Sequence, residues 1–166
     1  MRKHRLHPGY VYIADGNTII WTVLSSGIAV CLWDERSHRG GMNHFLRPKS
    51  QDPMKASPLF GDVALSVLIA KLLQVGSRRE DLVARLYGGA CPGLIGKETV
   101  GIENARVARM ILEQYEIPIA AEHIGGENGR KIIFDVDTGS VEMEQRESGL
   151  LTVSRGLSLI TAASAA

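Results

Sequence analysis

Side chains suited to nucleophilic or acid–base chemistry are sparse in this chain of 166 residues: two cysteines, Cys31 and Cys91, and five histidines. A thiolate can attack a carbonyl carbon when a nearby base holds its proton, and imidazole is the usual base near neutral pH. The segment Thr22 to His44, T-V-L-S-S-G-I-A-V-C-L-W-D-E-R-S-H-R-G-G-M-N-H, carries most of the functional information. Other candidate motifs have simpler readings. His4 and His7 are three apart, a spacing that could share a metal on a helix, but Pro8-Gly9 follows directly and argues against a helix. Gly88-Gly89-Ala90-Cys91-Pro92-Gly93 with Gly96-Lys97 invites a phosphate-loop reading. It fails because Glu98 stands where a magnesium-binding hydroxyl is needed. Gly125 to Gly129 is read as a structural turn, since no helix follows to present its amino terminus to an anion.

The elements that must position these groups are legible in the residue pattern. Tyr10 to Ile13 and Thr18 to Leu24 are rich in β-branched and aromatic residues and read as strands, separated by the turn cluster Asp15-Gly16-Asn17. A third strand follows at Ile28 to Trp33, with Ala29 and Cys31 on one face and Ile28, Val30 and Leu32 on the other. Both faces are apolar, which predicts a buried central strand and makes Cys31 a small core residue. Gly41 to Leu46 returns as a strand, and Lys49 to Pro58 reads as a loop. Val63, Leu65, Val67, Leu68, Ile69, Leu72 and Leu73 recur at helical spacing, with Gly76 placed to end that helix. Leu82 to Leu86 is a strand. Gly101 to Tyr115 is a second helix whose stripe is Ile102, Ala105, Ala108, Ile111 and Leu112. Ile117 to Glu122, Ile132 to Asp137 and Val141 to Gln145 complete the strands, the last two joined by a hairpin at Thr138-Gly139. This order predicts an α+β fold with two main helices on one face of a mostly antiparallel sheet.

Length predicts one domain, residues 10–148, preceded by a loosely held basic segment at residues 1–9 and followed by a tail at residues 149–166. Hydrophobic residues make up 45% and charged residues 22%, the balance of a globular protein. The net charge of +1 gives no electrostatic reason to expect nucleic acid or an anionic membrane as a partner. Apolar runs break before they reach bilayer-spanning length, and no secretory leader pattern is visible, so a cytoplasmic protein without membrane insertion is expected. The cysteines then read as free thiols.

The Thr22 to His44 segment resembles the active-site segment of the CheD family of chemoreceptor glutamine deamidases, T-x-L-G-S-C-V-A-V-C-L-x-D followed by G-G-M-x-H. The resemblance continues in order along the chain. Phe60-Gly61-Asp62 matches Y-x-D-x-A with Phe60 in place of tyrosine, and Tyr87 to Ala90 matches F-G-G-A. Gly101 to Asn104 matches G-x-R-N with Glu103 replacing arginine. Ala121 to Gly126 matches A-E-D-x-G-G with His123 replacing aspartate, and Gly129 to Gly139 matches G-R-x-V-x-F-x-x-x-T-G. It implies a CheD-like α/β/β layered sandwich and a role in bacterial chemotaxis. The implied reaction is deamidation of glutamine, or de-esterification of glutamyl methyl ester, on the cytoplasmic helices of methyl-accepting receptors. A CheC-like phosphatase is an implied partner, and no cofactor or metal is implied.

By the same resemblance His44 is the base and Thr22 the residue that orients it, although a one-position variation within the family would point to Trp21 instead. Gly27 stands at the position of the nucleophilic cysteine and has no side chain. Ser26 is adjacent, but alternation in a strand aims its hydroxyl to the other face. Ser25 shares the face at a separation of about 7 Å, beyond hydrogen-bond reach of a base aligned on position 27. Cys91 follows the Gly-Gly-Ala turn without an accompanying histidine. The expectation is a deamidase scaffold with thiol chemistry impaired, or a non-catalytic module that docks receptor helices or a CheC-like partner in the pocket around Gly27, His44 and Thr22. Ser25, Glu103 and His123 also depart from the pattern, which fits divergence better than a single replacement.

Overall fold

The computed structural model describes residues 1–93, 99–147 and 150–152. In chain order these form β1 (Arg2–Arg5), β2 (Val11–Asp15), β3 (Thr18–Leu24), β4 (Ile28–Asp34), β5 (Arg39–Asn43), α1 (Gly61–Gln74), β6 (Leu82–Gly88), α2 (Val100–Gln114), β7 (Ile119–Ile124), β8 (Gly129–Asp135), β9 (Val141–Glu147) and β10 (Leu150–Thr152). Two five-stranded sheets result, one in the order β1-β3-β8-β9-β10 and the other β2-β5-β4-β6-β7. Pairing is antiparallel except for β1 with β3 and β6 with β7. The helices cover one face of the second sheet and the first sheet covers the other, the α/β/β sandwich expected from the sequence.

The apolar alternation of β4 explains this layering. Ile28, Val30 and Leu32 enter the core shared with Leu65, Leu68 and Leu72 of α1 and Ala108, Ile111 and Leu112 of α2. Ala29 and Cys31 enter the core between the sheets, with Ile20, Leu24, Ile132 and Phe134. Small residues on that side let the sheets approach, while larger ones meet the helices. Gly76 ends α1 with φ of +103°, and Ser77 N donates back to Leu72 O, a C-terminal arrangement that favours glycine.

Two features differ from the sequence expectations. Residues 1–9 are not loosely held: β1 pairs along β3, Leu6 is buried, and Leu6 N donates to Trp21 O at 2.8 Å. The strand is hidden in the sequence because its Arg and Lys side chains face water at a sheet edge, where charge protects against stray pairing. In α2, Ile102 is half exposed and the inward place beside Ala105 is taken by Asn104, which is fully buried. The expected tail at residues 149–166 lies outside the described residues, apart from Leu150–Thr152, which pairs with β9.

Candidate functional site

Three chain segments meet at the open end of β3 and β4. Strand β3 contributes Thr22 on its inward face, the turn to β4 contributes Ser25, Ser26 and Gly27, and the residues after β5 contribute His44. The His44 backbone is fixed on both sides. Gly9 N donates to its carbonyl at 2.8 Å, and the next residue, Phe45, exchanges two 3.0 Å hydrogen bonds with Ile28. The ring is therefore placed by backbone pairing, and only its rotation remains to be set.

Thr22 sets it. Its Oγ1 lies 2.8 Å from His44 Nδ1 and 2.8 Å from the Leu6 carbonyl oxygen. A hydroxyl has one proton, and the Leu6 carbonyl can only accept, so Thr22 donates to Leu6 and accepts from His44 Nδ1–H. The neutral ring then carries its lone pair on Nε2. Burial, with a smaller contribution from His7, lowers the His44 pKa to about 4, so this neutral form holds at physiological pH. The residue that follows β1 is thus part of the site, because without Leu6 the direction of the Thr22 proton would be unspecified.

The Nε2 lone pair faces Gly27. A β-carbon built on Gly27 would lie 3.0 Å from Nε2, 2.8 Å from the Phe45 carbonyl oxygen and 3.0 Å from Leu46 Cδ2. This alters the expectation of an empty pocket: the three neighbours already crowd the first atom of any side chain at position 27. An imidazole nitrogen is aligned on the position, and glycine places no side chain there.

The remaining candidates are distributed as follows. Ser26 contributes its carbonyl, which accepts from Asn104 Nδ2 at 3.0 Å, and among the described residues no hydrogen bond joins its hydroxyl to His44. Cys31 is buried between the sheets, where desolvation pushes its thiol pKa well up. Cys91 Sγ lies 2.7 Å from Thr99 Oγ1, the N-cap of α2, and its backbone N donates to Gly126 O. Trp21 points to the opposite side of β3 from Thr22, its ring flanked by Arg5 and Lys131 at 5.1 and 4.9 Å. His4 stacks on Tyr12 with ring centroids 3.7 Å apart.

Asn104 was not visible as a site residue in the sequence. Its Nδ2 donates to Ser26 O at 3.0 Å and Leu46 O at 3.1 Å, tying together the two segments on either side of the Gly27–His44 contact. Close backbone approach makes this possible. A β-carbon on Gly101 would meet Gly89 O at 2.6 Å, and one on Gly88 would meet Gly27 O at 2.1 Å. The glycines let the first turn of α2 rest on the end of β6 and let β6 rest on Gly27.

Comparison with known proteins bears on the family to which the chain belongs. The family model described as CheD chemotactic sensory transduction matches residues 46–145, a stretch that begins just after His44. The chain is 38% identical over 145 residues to the probable chemoreceptor glutamine deamidase CheD of Sulfurimonas denitrificans, covering 86% of this chain and 93% of that one. It is 39% identical over 150 residues to the protein of the same name from Trichlorobacter lovleyi, covering 85% and 89%. With that of Caulobacter vibrioides it shares 42% identity over 130 residues, covering 77% and 69%. Among the described residues no helix is long and apolar enough to cross a membrane. This chain belongs to the CheD family.

Proposed function

We propose that this protein is a chemoreceptor glutamine deamidase scaffold whose hydrolytic step is impaired at the nucleophile. The observation that carries the proposal is the alignment of Thr22, His44 and Gly27. The hydrogen-bond chain directs the Nε2 lone pair at position 27, the arrangement that takes a proton from a side chain there, and glycine offers none. In a relative with cysteine at this position, the thiolate would attack the glutamine carbonyl carbon. Imidazolium would return the proton to the departing ammonia, and water would then hydrolyse the thioester to glutamate. Here Thr22 and His44 retain the base and its orientation, and no acyl-enzyme forms at position 27. The substrate class is glutamine or methyl glutamate on receptor cytoplasmic helices, which places the protein in the cytoplasm.

Ammonia release from receptor cytoplasmic fragments tests this. The chain as it stands releases little, and Gly27→Cys releases more. Activity in the unmodified chain that survives His44→Ala would remove His44 from the reading.

A second reading rests on the apolar rim. Leu46 sits against position 27 with 37% of its surface exposed. Leu59, whose carbonyl accepts from Leu46 N, is 39% exposed. Such a rim can hold an amphipathic helix without chemistry, so the protein would act by occupying receptor helices or a CheC-like phosphatase. Pull-down with receptor cytoplasmic domains and with CheC examines it, and failure to bind either in the micromolar range rejects it.

A further inference from the structure

Beside the Gly27–His44 site lies a cleft that the proposed chemistry does not use. Pro48 and Lys49 form one wall, and Glu103, Arg106, Val107 and Met110 of α2 form the other, around a volume of about 230 Å³. That is below the usual size of a small-molecule site and suits a single side chain better. The loop wall is pinned to the start of α1, where Gly61 N donates to Arg47 O at 2.8 Å.

Asn104 joins the cleft to the site. Its Nδ2 donates to Leu46 O at 3.1 Å, and Leu46 Cδ2 lies 3.0 Å from the β-carbon position of Gly27. Lys49 follows Leu46 by three residues, and Val107 follows Asn104 by three, about 5 Å along α2. The cleft therefore opens about one to two helical turns from position 27.

Its walls are chemically uneven. Val107 is buried and Met110 packs against the core, which makes an apolar floor. Glu103 Oε2 and Arg106 Nη2 pair at 2.7 Å, so their charges offset each other. Lys49 is exposed and, among the described residues, joins no ion pair. An apolar groove with one uncompensated ammonium at its rim fits a carboxylate on a methylene stem. An aliphatic side chain would leave the ammonium unanswered, and a basic one would be repelled by it.

We infer, on the receptor-helix reading proposed above, that this cleft takes a glutamate side chain of the same receptor helix that carries the target glutamine. Side chains three, four and seven residues apart share one face of a helix, about 5 to 10 Å along its axis. With the target glutamine at Gly27, the glutamate stands at one of these spacings, its methylenes on Val107 and Met110 and its carboxylate at Lys49 Nζ. Lys49 then selects which glutamines are accepted and takes no part in proton transfer.

Fluorescence anisotropy with a labelled receptor cytoplasmic fragment tests this in the full chain as it stands. Lys49 is exposed, so its replacement leaves the core intact. Lys49→Glu is expected to weaken binding about tenfold, and Lys49→Ala about threefold with a shallower salt dependence. Each glutamate three, four or seven residues from a target glutamine is then replaced by lysine in turn. At one position the parent chain should bind about tenfold more weakly, and Lys49→Glu should bind that fragment better than the parent does. Equal affinity of the parent and Lys49→Glu, or no position at which Lys49→Glu restores binding, would overturn the inference and leave the receptor reading standing. A parent chain that binds no receptor fragment overturns both.

Discussion

His44 Nε2 lies 3.0 Å from the point where a β-carbon on Gly27 would stand, and that point is also 2.8 Å from the Phe45 carbonyl oxygen. The site is therefore aligned for a side chain and too tight for one at the same time. The first contact decides where a proton would go; the second decides what a side chain would cost. Gly27→Ala isolates the cost, because it adds the crowding atom without chemistry. A loss of about 1–3 kcal/mol in urea unfolding is expected, the usual penalty for overpacking. Gly27→Cys carries a similar penalty and gains ammonia release from receptor fragments, which is lost again in the double variant with His44→Ala. A stable Gly27→Cys protein without activity would show that the Phe45 carbonyl holds the thiol out of line with Nε2.

The second prediction concerns pH. His44 titrates at about 4 in the folded chain against an ordinary value of 6.5, so between these values the unfolded chain binds the proton more readily. Stability from this group is fully present above pH 6.5 and is lost as pH falls through 6.5 toward 4, a loss of roughly 3 kcal/mol. His123, also lowered by burial and by Arg130, acts in the same direction. The His44 ring resonances should stay at their neutral positions from pH 8 down to about 5, and His44→Gln should flatten the stability slope in that window. A His44 midpoint near 6.5 would contradict both the burial and the tautomer assigned through Thr22.

Much of this arrangement is legible in the residue pattern, and the parts that are not share a cause. The faces of β4 follow directly from alternation, because Ile28, Val30 and Leu32 differ in size from Ala29 and Cys31. The choice between Thr22 and Trp21 does not follow, because both sides of β3 are rich in apolar residues: Ile20 and Leu24 on one, Ile19 and Val23 on the other. Only the position of Leu6 and His44 settles which side is inward, and those contacts span 16 and 22 residues. Strand β1 is concealed by its charged side chains. Asn104 is concealed because the carbonyls it serves lie 78 and 58 residues away. Local periodicity finds a helix face; it does not find a polar residue whose partners are remote in sequence.

Gly88 offers a direct test of the packing beneath the site. Its φ is +117°, and a β-carbon there would lie 2.1 Å from Gly27 O, the acceptor of Gly89 N–H. Gly88→Ala must therefore strain its backbone and displace the Gly27 segment together. A loss of more than about 3 kcal/mol is expected, combining an incompatible backbone with a buried clash. Gly125→Ala is the control. It also has a positive φ, at +87°, but nothing lies within 4 Å of its added carbon, so it should cost only the backbone strain. Equal losses for the two would show that contact with Gly27 carries no weight.

Asn104 separates a hydrogen-bonding role from a space-filling one. Both groups facing its Nδ2 are carbonyl oxygens, of Ser26 and Leu46, so the amide orientation is fixed by chemistry, and its buried Oδ1 has no hydrogen-bond partner among the described residues. Asn104→Ala removes both hydrogen bonds and leaves two carbonyls without their donor, for a loss of about 2–4 kcal/mol. Asn104→Asp keeps the shape but sets an acceptor against two acceptors, or buries a proton to avoid doing so. If the hydrogen bonds matter, the aspartate variant is less stable than the alanine variant at pH 7.5, and the gap narrows as pH falls and the carboxyl protonates. If volume alone matters, the aspartate variant is the more stable of the two at every pH. Circular dichroism melts of both variants at pH 7.5 and 5.5 decide between these outcomes, since the sign of the difference is opposite in the two cases.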